Sequence, residues 1–221
     1  METRDAILQR RSIRKFLPKP VSEETIRKII SDALWAPSWG NTQPWEIIVA
    51  TGNTLAQFKK ENQAALISGK KPNPDIPIPQ EWPEAHKGRY KGIGKSVLGS
   101  LDIKREDVEG RSQWATNMYA FFDAPAMVMM TLDKELALEY AMLDIGSIMQ
   151  TLCLLAHNEG LGTCIMAVSI YYPDIARRLL NIPDNKRVII GTALGWPDLS
   201  STVNQFERQR GELNEFFSYM T

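Results

Sequence analysis

The stretch LQRRSIRKF, residues 8–16, sets Arg10, Arg11, Arg14 and Lys15 around a single hydroxyl, that of Ser12. Positive charge at that density suits an anion ligand or, taken alone, a solvated helix end. The chain as a whole has 26 Lys plus Arg against 26 Asp plus Glu, a formal net charge of +0. It lacks the global basic field that drives non-specific nucleic-acid binding, so any anion site is local. A second stretch, APSWGNTQPW (36–45), places Ser38, Asn41 and Gln43 in a Gly/Pro-punctuated loop just before an apolar run. Such a loop offers directed donors and acceptors to a flat heteroaromatic ligand from a rigid edge.

Other familiar chemistries fit poorly. GIGKS (92–96) has the end of a phosphate-binding P-loop, but Arg89 stands where that motif needs glycine, and no apolar strand precedes it. GLGT (160–163) begins like a dinucleotide fingerprint, yet Ile165 replaces its third glycine, and Gly160 reads more simply as a helix end. His86 and His157 have no partner at metal-ligand spacing, so no metal is expected. There is no GxSxG elbow for a hydrolase, and the paired carboxylates Glu23/Glu24 and Glu106/Asp107 sit in expected first turns of helices. No side chain is assigned as nucleophile or general base.

The elements that must position these residues are legible from periodicity. Ser22 caps a helix whose Ile26, Ile29, Ile30, Ala33 and Leu34 repeat at helical spacing, with Pro37 as its stop. The runs at 46–51, 126–132 and 187–194 read as buried strands of a covered sheet. Helices are expected over 54–68, 105–122, 138–160 and 172–180. The third is apolar nearly all round and belongs deep in the molecule or in a subunit interface. Residues 70–82, KKPNPDIPIPQEW, are too proline-rich for either element and form a long loop, a lid or a plain insertion.

A chain of 221 residues with 43% hydrophobic content reads as one domain, 1–221. The N-terminus has no uninterrupted apolar segment and no run is long enough to span a bilayer, so the expectation is a soluble, cytoplasmic protein without membrane or nucleic-acid partners. Cys153 and Cys164, flanked by apolar residues, read as buried thiols.

RRSIRKF after the first helix, APSWGNTQPW, GLGTCIM after a long apolar helix, and GTALGWPD occur in the order seen in the FMN-dependent nitroreductase family, which the chain resembles from about Asp5 to Phe217. FFDAP (121–125) resembles the branch containing nitrobenzoate reductases. The resemblance implies an α+β fold with a central, mostly antiparallel sheet flanked by helices, domain-swapped C-terminal extensions, and a homodimer with two interfacial FMN sites. It implies that Arg10, Ser12, Arg208 and Arg210 surround the FMN phosphate, and that Arg11 lends mainly backbone. Arg14 would face the pyrimidine edge with Asn41, Pro37 and Ser38 would flank the ring system, and the backbone of Ile165, Met166 and Ala167 would approach N5. Gln43 would order its own loop. Bidentate guanidinium groups suit a phosphate dianion, each charge-assisted hydrogen bond being worth about 1.5–3 kcal/mol.

The implied activity is ping-pong hydride transfer from NADH or NADPH to a nitroaromatic or similar planar small molecule, with protons from solvent. Ala167 departs from one well-populated branch that has an acidic residue there, so substrate preference does not carry over from that branch. The region 62–114, with Trp82, Tyr90 and Trp114, would cover the acceptor. Two alternatives stay open: the same flavin with another reaction (enone or quinone reduction, reductive dehalogenation), and a non-enzymatic anion- or nucleic-acid-binding protein built on RRSIRK.

Overall fold

A computed structural model of the chain describes residues 1–221. Four strands, β1 (Glu46–Thr51), β2 (Ala126–Asp133), β3 (Gly162–Met166) and β4 (Lys186–Gly195), form one antiparallel sheet in the order β1-β2-β4-β3. β2 is buried on both faces from Ala126 to Leu132, which explains a run that is apolar apart from Thr131 rather than an alternating one. Its Met127 and Met129 join a core with Phe58, Phe121 and Ile175, while Val128, Met130 and Leu132 face a second core with Ile29, Ile148 and Leu152.

The helices are α1 (Thr3–Gln9), α2 (Glu23–Ala33), α3 (Gly52–Ile67), α4 (Glu84–Ser100), α5 (Val108–Tyr119), α6 (Leu138–Asn158) and α7 (Pro173–Leu180). α2 and α6 cover one face of the sheet, and α3, α5 and α7 contribute to the other core. Ser22 caps α2 by accepting from the Thr25 amide at 3.1 Å, as expected, but the helix ends at Ala33, ahead of Pro37. α5 is shorter than the 105–122 expectation. Phe121, Phe122 and Asp123 all take positive φ (57°, 52° and 61°), a left-handed turn that L-residues adopt at a cost of about 1–2 kcal/mol each. Packing holds it: Phe121 meets Phe58 edge-on at 5.7 Å, and Phe122 meets Trp114 at 5.0 Å. α4 contains GIGKS, so that stretch is mid-helix and no phosphate loop.

One sequence expectation needs correction. α6, 21 residues long and containing an 18-residue stretch of mean hydropathy 1.2, is by length and composition apolar enough to cross a membrane. Its apolarity has another destination, because Ala141, Ile145, Ile148, Leu152 and Ala156 are buried in the core shared with α2.

The two sheet edges differ. Residues 12–16 run along the outer edge of β3: Ser12 pairs with Thr163 in parallel, and the Ile13 amide donates to the Thr163 carbonyl at 2.9 Å. Gly162 makes this possible, since a Cβ there would lie 2.5 Å from Ile13 Cγ1. β1, at the other end of the strand order, pairs on one side only, with β2.

Candidate functional site

The β3 edge carries the arginines. The Arg14 amide donates to Asn204 Oδ1 at 2.7 Å, and Asn204 Nδ2 donates to the carbonyls of Lys15 (2.8 Å) and Asp198 (2.9 Å). This buried asparagine ties the C-terminal segment to the arginine stretch. Arg208 donates to the carbonyls of Leu8 and Arg10, and Arg11 to that of Phe206. The Phe206 ring lies 5.6 Å from the Arg11 guanidinium and 5.9 Å from that of Arg14. Chain segments nearly 200 residues apart are thus locked into one basic cluster of Arg10, Arg11, Arg14 and Arg208. Arg210 reaches only the carbonyl of its neighbour Gln209 at 2.7 Å and stays exposed.

None of these five arginines forms a salt bridge, although ten salt bridges occur elsewhere in the chain. Burial, then the charge of Arg14, pushes the Arg11 guanidinium below its usual pKa. Burial, then Arg11, Arg210 and Arg10, does the same to Arg208. His157, in the last turn of α6, has an Nε2 that is buried without a partner. Burial, then the charges of Arg10 and Arg208, lowers its pKa. A cluster of mutually repelling cations with no carboxylate among them, beside an orphaned imidazole nitrogen, has the donor chemistry of a phosphate cradle.

Two residues along from Thr163, Ile165 is 46% exposed and Ala167 is exposed, while Met166 turns into the core. Ile165 and Ala167 line a cleft of about 420 Å³, closed by residues 76–79 of the Pro-rich loop and by the Met142–Gln150 strip of α6. Asp75 pins that loop: its Oδ2 accepts from the Val188 amide at 2.7 Å and from Arg177 Nη2 at 2.8 Å. The Val188 amide lies at a β-bulge, where the β2–β4 register skips Ile189. Trp114 packs on Phe122, Trp82 and Tyr90 stack on each other at 6.0 Å, and none of the three lines the cleft.

The Pro37–Gln43 loop is held by α6. Asp144 Oδ1 accepts from the Trp39 amide at 3.0 Å, and the Trp39 ring tilts against Tyr140 at 5.2 Å. Gln43 orders the loop, its amide donating to Ser38 Oγ (3.0 Å) and its Nε2 to the Asn41 carbonyl and Oδ1 (both 3.3 Å). Asn41 and Gln43 take positive φ (55° and 47°). At about 100° per residue, Asp144 stands roughly half a turn around α6 from Met142 and Gly146, which line the cleft. Within one chain, therefore, Pro37, Ser38 and Asn41 are not brought to the cleft of Ile165 and Ala167.

Asn204, Asp144 and Asp75 were not singled out from the sequence. Each is a polar side chain working on a distant backbone, and nothing local distinguishes it from a surface residue. His157 stands out in the sequence only as one of two histidines without a partner at metal-ligand spacing.

Comparison with known proteins gives a consistent set of likenesses. The family model described as "Nitroreductase family" matches residues 7–196. The chain is 34% identical to a chloronitrobenzene nitroreductase of Comamonas testosteroni, over 98% of this chain and 96% of that protein. It is 33% identical to a 4-nitrobenzoate reductase of Pseudomonas putida, over 98% and 95%. Among solved structures, the FMN and NADPH-dependent nitroreductase NfnB from Sphigopyxis sp. strain HMH superposes with a TM-score of 0.96 at 28% identity, covering 100% of both chains. The FMN-dependent nitroreductase NfnB from Mycobacterium smegmatis, in complex with NADPH, gives 0.93 at 26% identity, covering 99% of this chain and 97% of that one.

Proposed function

The chain belongs to the nitroreductase family, and on that premise we propose that it is an FMN-dependent NAD(P)H oxidoreductase that reduces nitroaromatic acceptors. The observation that carries this reading is the cluster of Arg10, Arg11, Arg14 and Arg208, devoid of carboxylate partners, on the edge of the strand whose Ile165 and Ala167 face an apolar cleft. Bound there, FMN would supply two-electron hydride chemistry linking NADH or NADPH to the nitro group.

Arg10, Ser12 and Arg208 hold the phosphate, and Arg210 adds to the field. Arg11, whose guanidinium donates to the Phe206 carbonyl, contributes backbone, the role the family resemblance implies. Arg14 makes only a 3.3 Å bond to the Ser12 carbonyl and keeps donors free for the pyrimidine edge, where a fixed cation favours the electron-rich state of the ring. The backbone of Ile165, Met166 and Ala167 borders the N5 side. Protons come from solvent.

The functional unit is a homodimer. Pro37, Ser38 and Asn41 sit around α6 from the cleft, so a flavin touching both groups takes them from two chains. β1's unpaired side and the groove between it and α2, lined by Ile26, Ile30, Ile47 and Val49, provide a seat for the C-terminal segment of a second copy. That segment exposes Leu213, Phe216, Phe217, Tyr219 and Met220, apolar surface that a lone chain leaves in water. We place the enzyme in the cytoplasm, where reduced nicotinamides and free thiols such as Cys153 and Cys164 occur together.

The test is the visible spectrum of the purified protein under anaerobic conditions, before and after NADH or NADPH, followed by a nitroarene. Flavin bands that bleach with the donor and return with the acceptor are expected. A colourless protein that takes up no added FMN overturns the proposal.

A further inference from the structure

The cleft beside Ile165 and Ala167 is lined without a single charged side chain. Gln150 and Tyr171 supply its only polar side-chain groups, against a wall of isoleucine, methionine and proline. Burial, then Tyr90 and Tyr172, pushes the Tyr171 phenol above its usual pKa, so it stays neutral. Three basic residues near the lining in sequence are engaged elsewhere: Arg177 with Asp75 at 2.8 Å, Lys186 with Glu46 and Asp133 at 2.5 and 3.1 Å. Arg187 donates to the carbonyls of Asp133 and Leu136, both at 3.3 Å. Gly146, on the α6 wall, has open space where a Cβ would stand, which leaves room for a ring substituent.

We infer that this cleft selects acceptors whose ring carries uncharged substituents, such as halogen, hydrogen or amide, over acceptors bearing a carboxylate. The inference takes this cleft, next to the strand assigned to the N5 side, as the seat of the acceptor, and so rests on the reductase reading above. A carboxylate entering this lining gives up its hydration and meets no cation among this chain's lining residues, whereas chlorine or a ring edge exchanges water for apolar contact. The chain's near-equal identity to a chloronitrobenzene nitroreductase and a 4-nitrobenzoate reductase, 34% and 33%, does not choose between these classes. The lining favours the uncharged class, and the inference makes Gln150, its one exposed polar side chain, the determinant.

The experiment compares steady-state kinetics of the FMN-loaded enzyme with 1-chloro-4-nitrobenzene, 4-nitrobenzamide and 4-nitrobenzoate at saturating NADPH. Both neutral acceptors are expected to exceed the carboxylate in kcat/KM by about tenfold or more, with the difference in KM. Gln150→Arg, which supplies the missing cation, is expected to lower KM for 4-nitrobenzoate about tenfold and to narrow that gap. Equal KM values for the three in the wild-type enzyme, or a gap unmoved by Gln150→Arg, overturn the selectivity while leaving the reductase reading intact. If NADPH bleaches the flavin and no nitroarene restores it, the reductase reading fails and this inference falls with it.

Discussion

At the scale of single residues, the basic cluster has no internal counter-charge, and its arginines divide the work by what they already touch. Arg208 bridges two carbonyls of the N-terminal segment, so Arg208→Ala removes a phosphate donor and the anchor of Arg10 together. FMN retention is expected to fall about 10- to 100-fold, the equivalent of one charge-assisted bond or slightly more, measured by fluorescence as flavin is released. Arg14→Ala is expected to slow flavin reduction by NADPH in stopped-flow more than it lowers the unfolding midpoint, since its side chain makes only one long intramolecular bond. Unchanged FMN affinity and turnover in both variants would remove the site assignment. His157 adds a pH dependence. The unfolded chain takes up a proton at about pH 6.5, but in the folded protein burial and the charges of Arg10 and Arg208 depress that pKa. Stability of the flavin-free protein therefore falls as pH drops through 6.5, because the unfolded state binds the proton first. Urea midpoints at pH 7.5 and 5.5 should differ less for His157→Gln than for the wild type.

At the scale of elements, the site depends on how closely the arginine segment lies on β3. Gly162 leaves no space for a side chain: an added Cβ would sit 2.5 Å from Ile13 Cγ1 and 3.0 Å from its Cβ. Gly162→Ala is expected to push Ile13 off the strand, cost about 1–3 kcal/mol in chemical denaturation, and yield protein largely free of flavin. Stability loss with full flavin occupancy would mean that the segment's position does not govern binding. The elements were mostly legible beforehand, and for a local reason. Ser22 and the isoleucine spacing specify α2, and the apolar run at 126–132 specifies a covered strand, because caps and periodicity act over a few residues. The left-handed turn at Phe121–Asp123 was not legible. No glycine marks it, and only the burial of Phe121 against Phe58 and of Phe122 against Trp114 stabilises it.

At the scale of the whole molecule, one chain divides the candidate site between two sides of α6. If each flavin takes the arginines from one protomer and the Pro37–Asn41 loop from its partner, two different defects complement each other. Co-refolded Arg14→Ala and Asn41→Ala chains should then give about a quarter of wild-type activity, from mixed dimers with one intact site each, whereas each variant alone gives little. Recovery no greater than the mean of the separate variants would place the whole site in one protomer. Light scattering in parallel should report a dimer. The sequence by itself determined α2, α3, α6 and α7, three of the four strands of a covered sheet, and the presence of an anion-seeking arginine stretch followed by a polar loop, because each is written in residues close together along the chain, whereas α4 and β3 carry no such pattern. Only the tertiary structure decided that the arginines have no carboxylate partners, that Asn204 and Arg208 come back to lock them, that the loop and the cleft lie around α6 from each other, and that the cleft is uncharged. Those outcomes depend on contacts between residues 100 to 200 positions apart, such as Asp144 with Trp39 and Arg208 with Arg10, where long-range packing chooses the partner and local pattern carries no information about it.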